Sequence, residues 1–226
     1  MKDCKEKERL HRMPGLRLMC VGLLVLTVVP NAIAQEAPRI RPFVADARGV
    51  WARFKADPNV AAALEVTPVT LPTRGFGIVV GGHWYPARLG RMTLGLGGEL
   101  MTSRGNRTQE PATEGGADGP TVKTRLSVVS PQVSFNFGGP DGWSYISGGI
   151  GWANFTTERE DRPLTAPSSR TKTINYGGGA RWFAKKHVAL SVDMRFYAIN
   201  PQDATTARPG FPRMTLLMFS VGAGFK

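Results

Sequence analysis

Two histidines are the side chains of this chain best suited to acid–base chemistry. His83 and His187 are the histidines that lie beyond residue 34. A serine–histidine pair hydrolyses esters or amides when the histidine reaches the nucleophile and a carboxylate orients it. His187 has Ala189 two residues on, and neither histidine has a carboxylate partner identifiable from the sequence. The sequence therefore predicts no catalytic site, and two isolated histidines predict no metal site.

The cysteines and glycines offer no alternative chemistry. Cys4 and Cys20 both precede residue 35, so the remaining chain has neither a disulfide nor a thiol nucleophile. The glycine-rich pieces 95–98 and 177–179 lie within strand-like segments, whereas a phosphate loop joins a strand to a helix. Close packing explains these glycines better, and no cofactor is predicted.

Four charged residues stand out by their spacing. Asp193 and Arg195 are two apart, so both point to the same side of a strand, while Val192, Met194 and Phe196 form the other side. Two further charges occupy the polar register of their own segments, Glu99 and Arg181. Such residues can form a buried ion-pair network, and we expect Arg195 to pair with Asp193 or Glu99.

The N-terminal segment has the features of a secretory signal peptide. Six basic residues precede or begin the apolar run Leu18–Val29, and Ala32-Ile-Ala34 follows it as a small-x-small cleavage site. We predict a signal peptide over residues 1–34 and a mature domain over residues 35–226 that begins at Gln35.

The charge balance favours an anionic surface as partner. Removing the six basic and three acidic residues of 1–34 leaves 23 basic and 14 acidic residues, a net charge of +9. The basic residues are spread thinly along an exported chain, which favours anionic lipid and argues against nucleic acid.

Eight segments of the mature chain alternate between apolar and polar residues, which is the period of a β-strand. They are Pro42–Lys55, Arg74–Tyr85, Arg91–Met101, Val122–Phe137, Trp143–Thr157, Thr171–Phe183, Val188–Ile199 and Arg213–Phe225. Their connections alternate between short and long. This order is typical of an outer-membrane barrel, with short periplasmic turns, long outer loops and an even strand number. We predict an all-β fold, an eight-stranded antiparallel transmembrane up-and-down β-barrel after a cleaved signal peptide.

Three local features carry further expectations. The apolar phase slips at Ser130-Pro131, which predicts a bulge there. Pro42–Lys55 has no clean register. Asp57-Pro58 followed by alanines predicts a short helix in the first long loop. The alternative is that Leu64–Leu71, rich in β-branched residues, extends the second strand outward. Aromatic residues near the predicted periplasmic ends suggest a lipid-interface girdle; they are Trp84, Tyr85, Phe137, Trp143, Trp182 and Phe225.

The C-terminal strand connects this pattern to a known family. In 213–225 the register of Phe219, Val221 and Phe225 is apolar and ends on an aromatic residue, followed only by Lys226. The chain resembles the small bacterial outer-membrane β-barrels, of the OmpA membrane-domain and OmpX-like kind, over Pro42–Phe225. The resemblance implies an integral, monomeric outer-membrane protein. It also implies that the C-terminal strand contacts the outer-membrane assembly machinery. The family pattern ends on the aromatic itself, so Lys226 is a departure.

Three classes of function stay open at this point. A structural or surface-interaction role would act through the charged outer loops, which include 110–118 and 158–162 and suit contact with outer-membrane lipid and lipopolysaccharide. A small porin-like channel would use the inward charges Glu99, Arg181, Asp193 and Arg195 as its lining. A lipid A-modifying enzyme is disfavoured, because both histidines fall near periplasmic ends. An eight-stranded barrel is only wide enough for side chains, which favours a polar plug over a pore.

Overall fold

The structure is a computed structural model that describes residues 40, 42–111, 113–163, 169–205 and 208–226. The predicted signal peptide and its cleavage site lie outside these residues and stay a prediction. Eight strands alternate along the chain, namely β1 Phe43–Arg53, β2 Arg74–Leu89, β3 Met92–Thr108, β4 Thr121–Gly139, β5 Gly142–Arg159, β6 Thr171–Lys185, β7 Val188–Ile199 and β8 Met214–Phe225.

The strands form one closed antiparallel barrel in which each strand pairs with its neighbour in sequence. β1 closes the barrel against β8, from Ala45 opposite Phe225 to Arg53 opposite Leu217. The predicted eight-stranded up-and-down barrel is therefore confirmed. Two-residue turns at 90–91, 140–141 and 186–187 join the strands at one end, called here the turn end, and Gly90 enters its turn at a φ of 63°. The longer connections lie at the opposite, loop end.

Five strands, β2 to β6, are longer than the sequence pattern indicates, and β3 is extended most. β3 continues to Thr108, although residues 102–108 were expected to lie in a loop, and its ladder with β4 runs out to the pair Thr108 and Thr121. The hydroxyl groups of these two threonines lie 2.9 Å apart. Threonine favours strands because its branched side chain packs well on a pleated surface. Backbone pairing therefore continues past the apolar part of the barrel.

The outward face of the barrel is an apolar belt. Exposed isoleucine, leucine, valine and aromatic side chains occur on every strand, and in β7 and β8 they lie in the apolar register that the sequence predicts. An outward apolar band around a closed barrel is the feature by which outer-membrane barrels face lipid. Four of the six predicted girdle residues face outward at the turn end: Trp84, Phe137, Trp182 and Phe225. Tyr85 and Trp143 are 7% and 3% exposed and face the lumen, so their assignment to the girdle is wrong.

β4 contains no bulge, so that expectation is also wrong. Its register against β3 is continuous from Met92 opposite Phe137 to Thr108 opposite Thr121. Every even-numbered residue from 122 to 136 is buried. Leu126 and Val128 thus share the inward face with Ser130 and Gln132. The apparent slip arises because the lumen itself is apolar toward the loop end.

The first long loop contains the predicted helix. Helix α1 spans Pro58–Ala63, and the Asp57 carboxylate accepts hydrogen bonds from the backbone N–H groups of Asn59 and Val60 at 2.9 and 3.3 Å. This is the N-cap arrangement that satisfies unpaired donors at a helix start. A single 3-10 turn, Pro68–Thr70, follows. Within the described part of the chain, no helix is long and apolar enough to cross a membrane.

Candidate functional site: the lumen

The candidate site is a network of buried charges midway along the lumen. In the described residues it contains three arginines and three carboxylates, which balance to zero when all are ionised. Four of the six are the residues predicted from sequence, Glu99, Arg181, Asp193 and Arg195, and the other two are Asp46 and Arg48 on β1. All six are at most 4% exposed. The structure thus brings the four predicted residues into one connected group.

Arg195 occupies the centre of the β7 side. Its guanidinium lies 3.0 Å from Asp193 and 3.4 Å from Glu99, so it contacts both carboxylates that the sequence offered. It also donates hydrogen bonds to Asn175 at 2.9 Å and Ser147 at 2.7 Å. Several partners with fixed positions are what a buried guanidinium needs, because its desolvation is costly.

Arg48 joins the two halves of the network. Its Nε lies 2.8 Å from Asp46, and its two terminal nitrogens lie 3.2 Å from Glu99 and 3.5 Å from Asp193. One of these nitrogens also donates a hydrogen bond to Ser220 of β8, at 3.3 Å. A single arginine therefore contacts all three carboxylates, across β1, β3 and β7.

The sequence does contain a signal for Asp46 and Arg48 that the initial interpretation missed. Both β1 and β7 carry an Asp-x-Arg triplet, Asp46–Arg48 and Asp193–Arg195, and both strands flank β8. In β1 the central outward residues are Ala45, Ala47 and Gly49, so no strongly apolar register marks which side faces lipid. The repeated triplet is the feature that identifies the inward register of this strand.

Arg181 connects the network to an aromatic layer at the turn end. Its guanidinium lies 2.5 Å from Asp46, donates to the Tyr85 hydroxyl at 3.3 Å and stacks 4.6 Å from the centre of the Tyr145 ring. Tyr145 in turn donates to Asp193 at 2.8 Å. Trp143 packs edge-on against Tyr85, with ring centres 5.8 Å apart. Packed aromatic rings therefore close the charged layer at the turn end.

The loop-end half of the lumen is apolar. Its buried residues form one cluster that includes Val50, Leu126, Val128 and Met218 from the strands. Tyr197 belongs to the same cluster and donates its hydroxyl to Glu99, so it lies at the boundary between the two layers. The inward face of β1 passes through all three layers, from Val44 through Asp46 and Arg48 to Val50 and Ala52.

The loops close the barrel above this apolar layer. Val60, Ala61 and Leu64 of α1 and its C-terminal end belong to the same cluster as Phe54, Phe155 and Phe211. The rings of Phe155 and Phe211 lie 5.3 Å apart, which joins the β7–β8 loop to β5. Two small cavities lie between these groups, of ≈ 20 and ≈ 10 Å³, about the size of one water molecule or less.

A polar cluster at the surface holds α1 in place. Arg159 donates a hydrogen bond to the Leu64 carbonyl at 3.2 Å, satisfying an acceptor at the helix C-terminus. Arg162 pairs with Glu65 at 2.8 Å, and Arg159 pairs with Asp161 at 2.6 Å. The hydrogen bond from Arg159 lowers the pKa of the Asp161 carboxyl.

The two histidines occupy positions that the sequence analysis anticipated, toward the turn end. His83 is buried in the lumen opposite Val44, its ring stacked 6.4 Å from that of Tyr85. His187 lies in the β6–β7 turn, with Nδ1 2.9 Å from the Lys226 carbonyl oxygen. Among the described residues, no group of three or more histidine, cysteine or acidic side chains is arranged to hold a metal ion.

Comparisons with known proteins identify the fold and no close relative. No protein-family model matches the chain, and no curated protein matches it. Among solved structures, Neisserial surface protein A has 12% sequence identity and a TM-score of 0.51, covering 81% of this chain and 96% of its own. The attachment invasion locus protein Ail of Yersinia pestis has 12% identity and a TM-score of 0.47, covering 82% and 99%. The outer membrane protease OmpT from Escherichia coli has 9% identity and a TM-score of 0.41, covering 84% and 99%.

At these identities the likeness concerns the fold. The likeness to Neisserial surface protein A agrees with the resemblance expected from the sequence and with the closed barrel of the structure. The chain therefore has the fold of the small eight-stranded β-barrels of bacterial outer membranes.

Proposed function

We propose that this protein is a non-enzymatic, non-conducting barrel of the outer membrane that presents its outer loops to the cell surface. The observation that carries the proposal is the filled lumen. A packed aromatic layer, a charge-balanced layer and an apolar layer follow one another, and α1 lies over the last. Ions crossing such a lumen would have to displace paired charges and then traverse an apolar segment, and both steps are costly.

The loops supply the surface for interaction. The strands β3, β4 and β5 extend beyond the apolar belt and carry the charged loops 109–120 and 160–170 at their ends. We expect contacts with outer-membrane lipid and lipopolysaccharide, and a monomeric protein. Phe225, which is 52% exposed at the β1–β8 seam, suits recognition of the C-terminal strand by the assembly machinery. Fold does not determine function, so each of these roles needs its own test.

Planar-bilayer conductance of the purified full chain tests the closed lumen. We expect no sustained open state, because the three layers block the path. As a positive control, removal of the α1 loop together with charge-to-alanine changes at Arg48 and Arg195 should introduce conductance. Sustained large conductance of the unmodified protein would overturn the proposal and support the porin-like alternative.

A further inference from the structure

Four exposed arginines at the loop end of the apolar belt form what we call the arginine rim. They lie on four consecutive strands, Arg53 on β1, Arg74 on β2, Arg104 on β3 and Arg125 on β4, and all four are exposed. None of the four guanidinium groups forms an ion pair or a hydrogen bond with any described residue. The rim therefore presents four positive charges whose counterions are not part of the described protein.

The pairing of the strands sets the arginines against each other. Arg53 lies directly opposite Arg74, and Arg104 lies directly opposite Arg125. Like charges at opposed positions of a sheet destabilise it, since their Cβ atoms are only about 5 Å apart. An anion between the two guanidinium groups would turn this repulsion into two charge-assisted contacts. Arginine suits phosphate in particular, because its planar fork matches two phosphate oxygens.

The position of the rim selects a lipid phosphate over a soluble one. Arg74 lies ten residues from the girdle residue Trp84 on the same strand, and Arg53 lies ten residues from Phe43. Ten residues span about 33 Å of strand, or about 25 Å of height at the usual tilt of ~40°. That height is the thickness of the apolar band of such barrels, so the rim lies at the level of the outer headgroups.

A groove in the apolar belt lies directly below two of these arginines. The outward positions of one row across β2, β3 and β4 are Gly82, Gly98 and Pro131, which carry little or no side chain. The resulting groove has a volume of ≈ 420 Å³ and is bounded by Val80, Leu100 and Val129. Gly98 lies six residues below Arg104, and Pro131 lies six residues below Arg125.

Six residues correspond to about 20 Å of strand and about 15 Å of depth. This is half of the ~30 Å hydrocarbon core, so the groove lies near the bilayer midplane. A lipid whose phosphate contacts the rim would therefore place the ends of its acyl chains at the groove. The charge and the groove are independent features, and each of the three strands that form the groove, β2, β3 and β4, also carries a rim arginine.

We propose that β1–β4 form a specific site for an acylated outer-leaflet lipid that carries at least two phosphate groups. Each opposed arginine pair clamps one phosphate, and an acyl chain lies along the outer face into the groove of Gly82 and Gly98. The site rests on the outer-membrane orientation in the proposed function, with the long loops outside. It adds a defined lipid contact on one side of the barrel.

Binding of diphosphoryl lipid A to the full chain in neutral-detergent micelles, followed by native mass spectrometry, tests the site. The double variant R104Q/R125Q should weaken binding at least about tenfold, a loss of about 1.4 kcal/mol, because it removes both charged contacts of one clamp. The matched control K172Q/R213Q removes two exposed charges that lie outside β1–β4, on β6 and just before β8, and should stay within about twofold of the unmodified protein.

Two further arms separate a lipid from a soluble anion. G82V fills the groove, and a Cβ at Gly82 would meet only ordinary contacts, the nearest 3.7 Å away on the Phe43 ring. The added side chain should weaken lipid A binding by about fourfold for each acyl-chain methylene group that it displaces from the groove. The rim arginines are unchanged in this variant. Sodium pyrophosphate, which has the charge and lacks the chains, should compete poorly.

Equal weakening in the two double variants would overturn the site in favour of general charge attraction. Full competition by pyrophosphate would overturn the lipid assignment. Folding of every variant is checked by heat-modifiable gel mobility, and conductance is measured on the same samples. If the unmodified protein conducts no ions but its lipid A binding does not depend on the rim arginines, this site alone is overturned. If it conducts ions but its lipid A binding does depend on them, only the closed-barrel proposal is overturned.

Discussion

The lumen and the arginine rim place the same side chain in opposite conditions. Arg48, Arg181 and Arg195 are 4% exposed or less, and each lies within 3.0 Å of a carboxylate of the same chain. The four rim arginines are exposed, and none of them forms an ion pair with a carboxylate of the described residues. A buried charge must find its counterion inside the protein because water cannot reach it, whereas a surface charge can take its counterion from the surroundings.

The comparison teaches where each arginine acts. A lumen arginine contributes by keeping a set of six charges neutral, so removing any one member disturbs all the others. A rim arginine contributes when a partner from outside is present and repels its neighbour when that partner is absent. Substitutions in the two regions should therefore change the free energy of unfolding by different amounts, with different salt dependence and with opposite sign.

The largest expected effect is in the lumen. Asp193→Ala removes the carboxylate that contacts Arg195, Arg48 and Tyr145, and it leaves three arginines facing two carboxylates. We expect the free energy of unfolding to fall by about 3–5 kcal/mol, because breaking a buried pair leaves an uncompensated charge. Heat-modifiable gel mobility and urea unfolding measure it.

Met194→Leu is the matched control for Asp193→Ala, since Met194 is the next residue and faces outward at 50% exposure. It should change stability by less than about 1.5 kcal/mol. Equal stability of the two variants would show that the buried network does not stabilise the barrel.

An intermediate effect is expected at the boundary between the charged and apolar layers. Tyr197→Phe removes the hydroxyl that donates to Glu99, while Arg48 and Arg195 still contact that carboxylate. We expect a loss of about 1.5–3 kcal/mol, the usual range for a hydrogen bond to a charged group. Tyr176→Phe, on the outward face at 50% exposure, should change little. A comparable loss in both variants would contradict the role of the Glu99 contact.

The smallest effect is expected at the rim, with the opposite sign. Arg104→Gln in neutral detergent removes the repulsion with Arg125 and should raise stability by about 0.2–1 kcal/mol at low salt. The gain should disappear in 1 M salt, where the Debye length is about 3 Å. The loss caused by Asp193→Ala should persist in that salt, because buried charges are screened much less.

Lys172→Gln is the control for the rim, since Lys172 lies opposite Trp152 and has no like charge facing it. It should leave stability unchanged at either salt concentration. A loss of stability from Arg104→Gln in neutral detergent would contradict the comparison, because it would mean that the arginine has a stabilising partner within the protein.

Much of the fold could be predicted from the sequence because the period of a strand is short-range information. In β7, apolar and polar or charged residues alternate without exception from Leu190 to Arg195, so the faces could be assigned before any partner was known. The order of short and long connections then predicted the number and direction of the strands. The Asp57 cap could be predicted for the same reason, since a helix start depends on three or four adjacent residues.

The errors occur where the environment changes along the lumen. Leu126 and Val128 suggested a slip in β4 because alternation was taken to mean polar residues inside, whereas the loop-end half of the lumen is apolar. Tyr85 and Trp143 were assigned to the lipid interface by their level alone, although both face inward. In each case the level along the barrel axis was predicted correctly, and the face of the strand, lumen or lipid, was predicted wrongly.

The sequence by itself determined the strands, their order and the inward direction of Glu99, Arg181, Asp193 and Arg195, because these follow from local alternation. Only the tertiary structure decided which charges meet. The contacts of Arg48 with three carboxylates, the opposition of Arg104 and Arg125, and the groove row of Gly82, Gly98 and Pro131 all depend on register between strands. Register is a relation between distant segments, and a shift of one residue would turn these side chains to the other face.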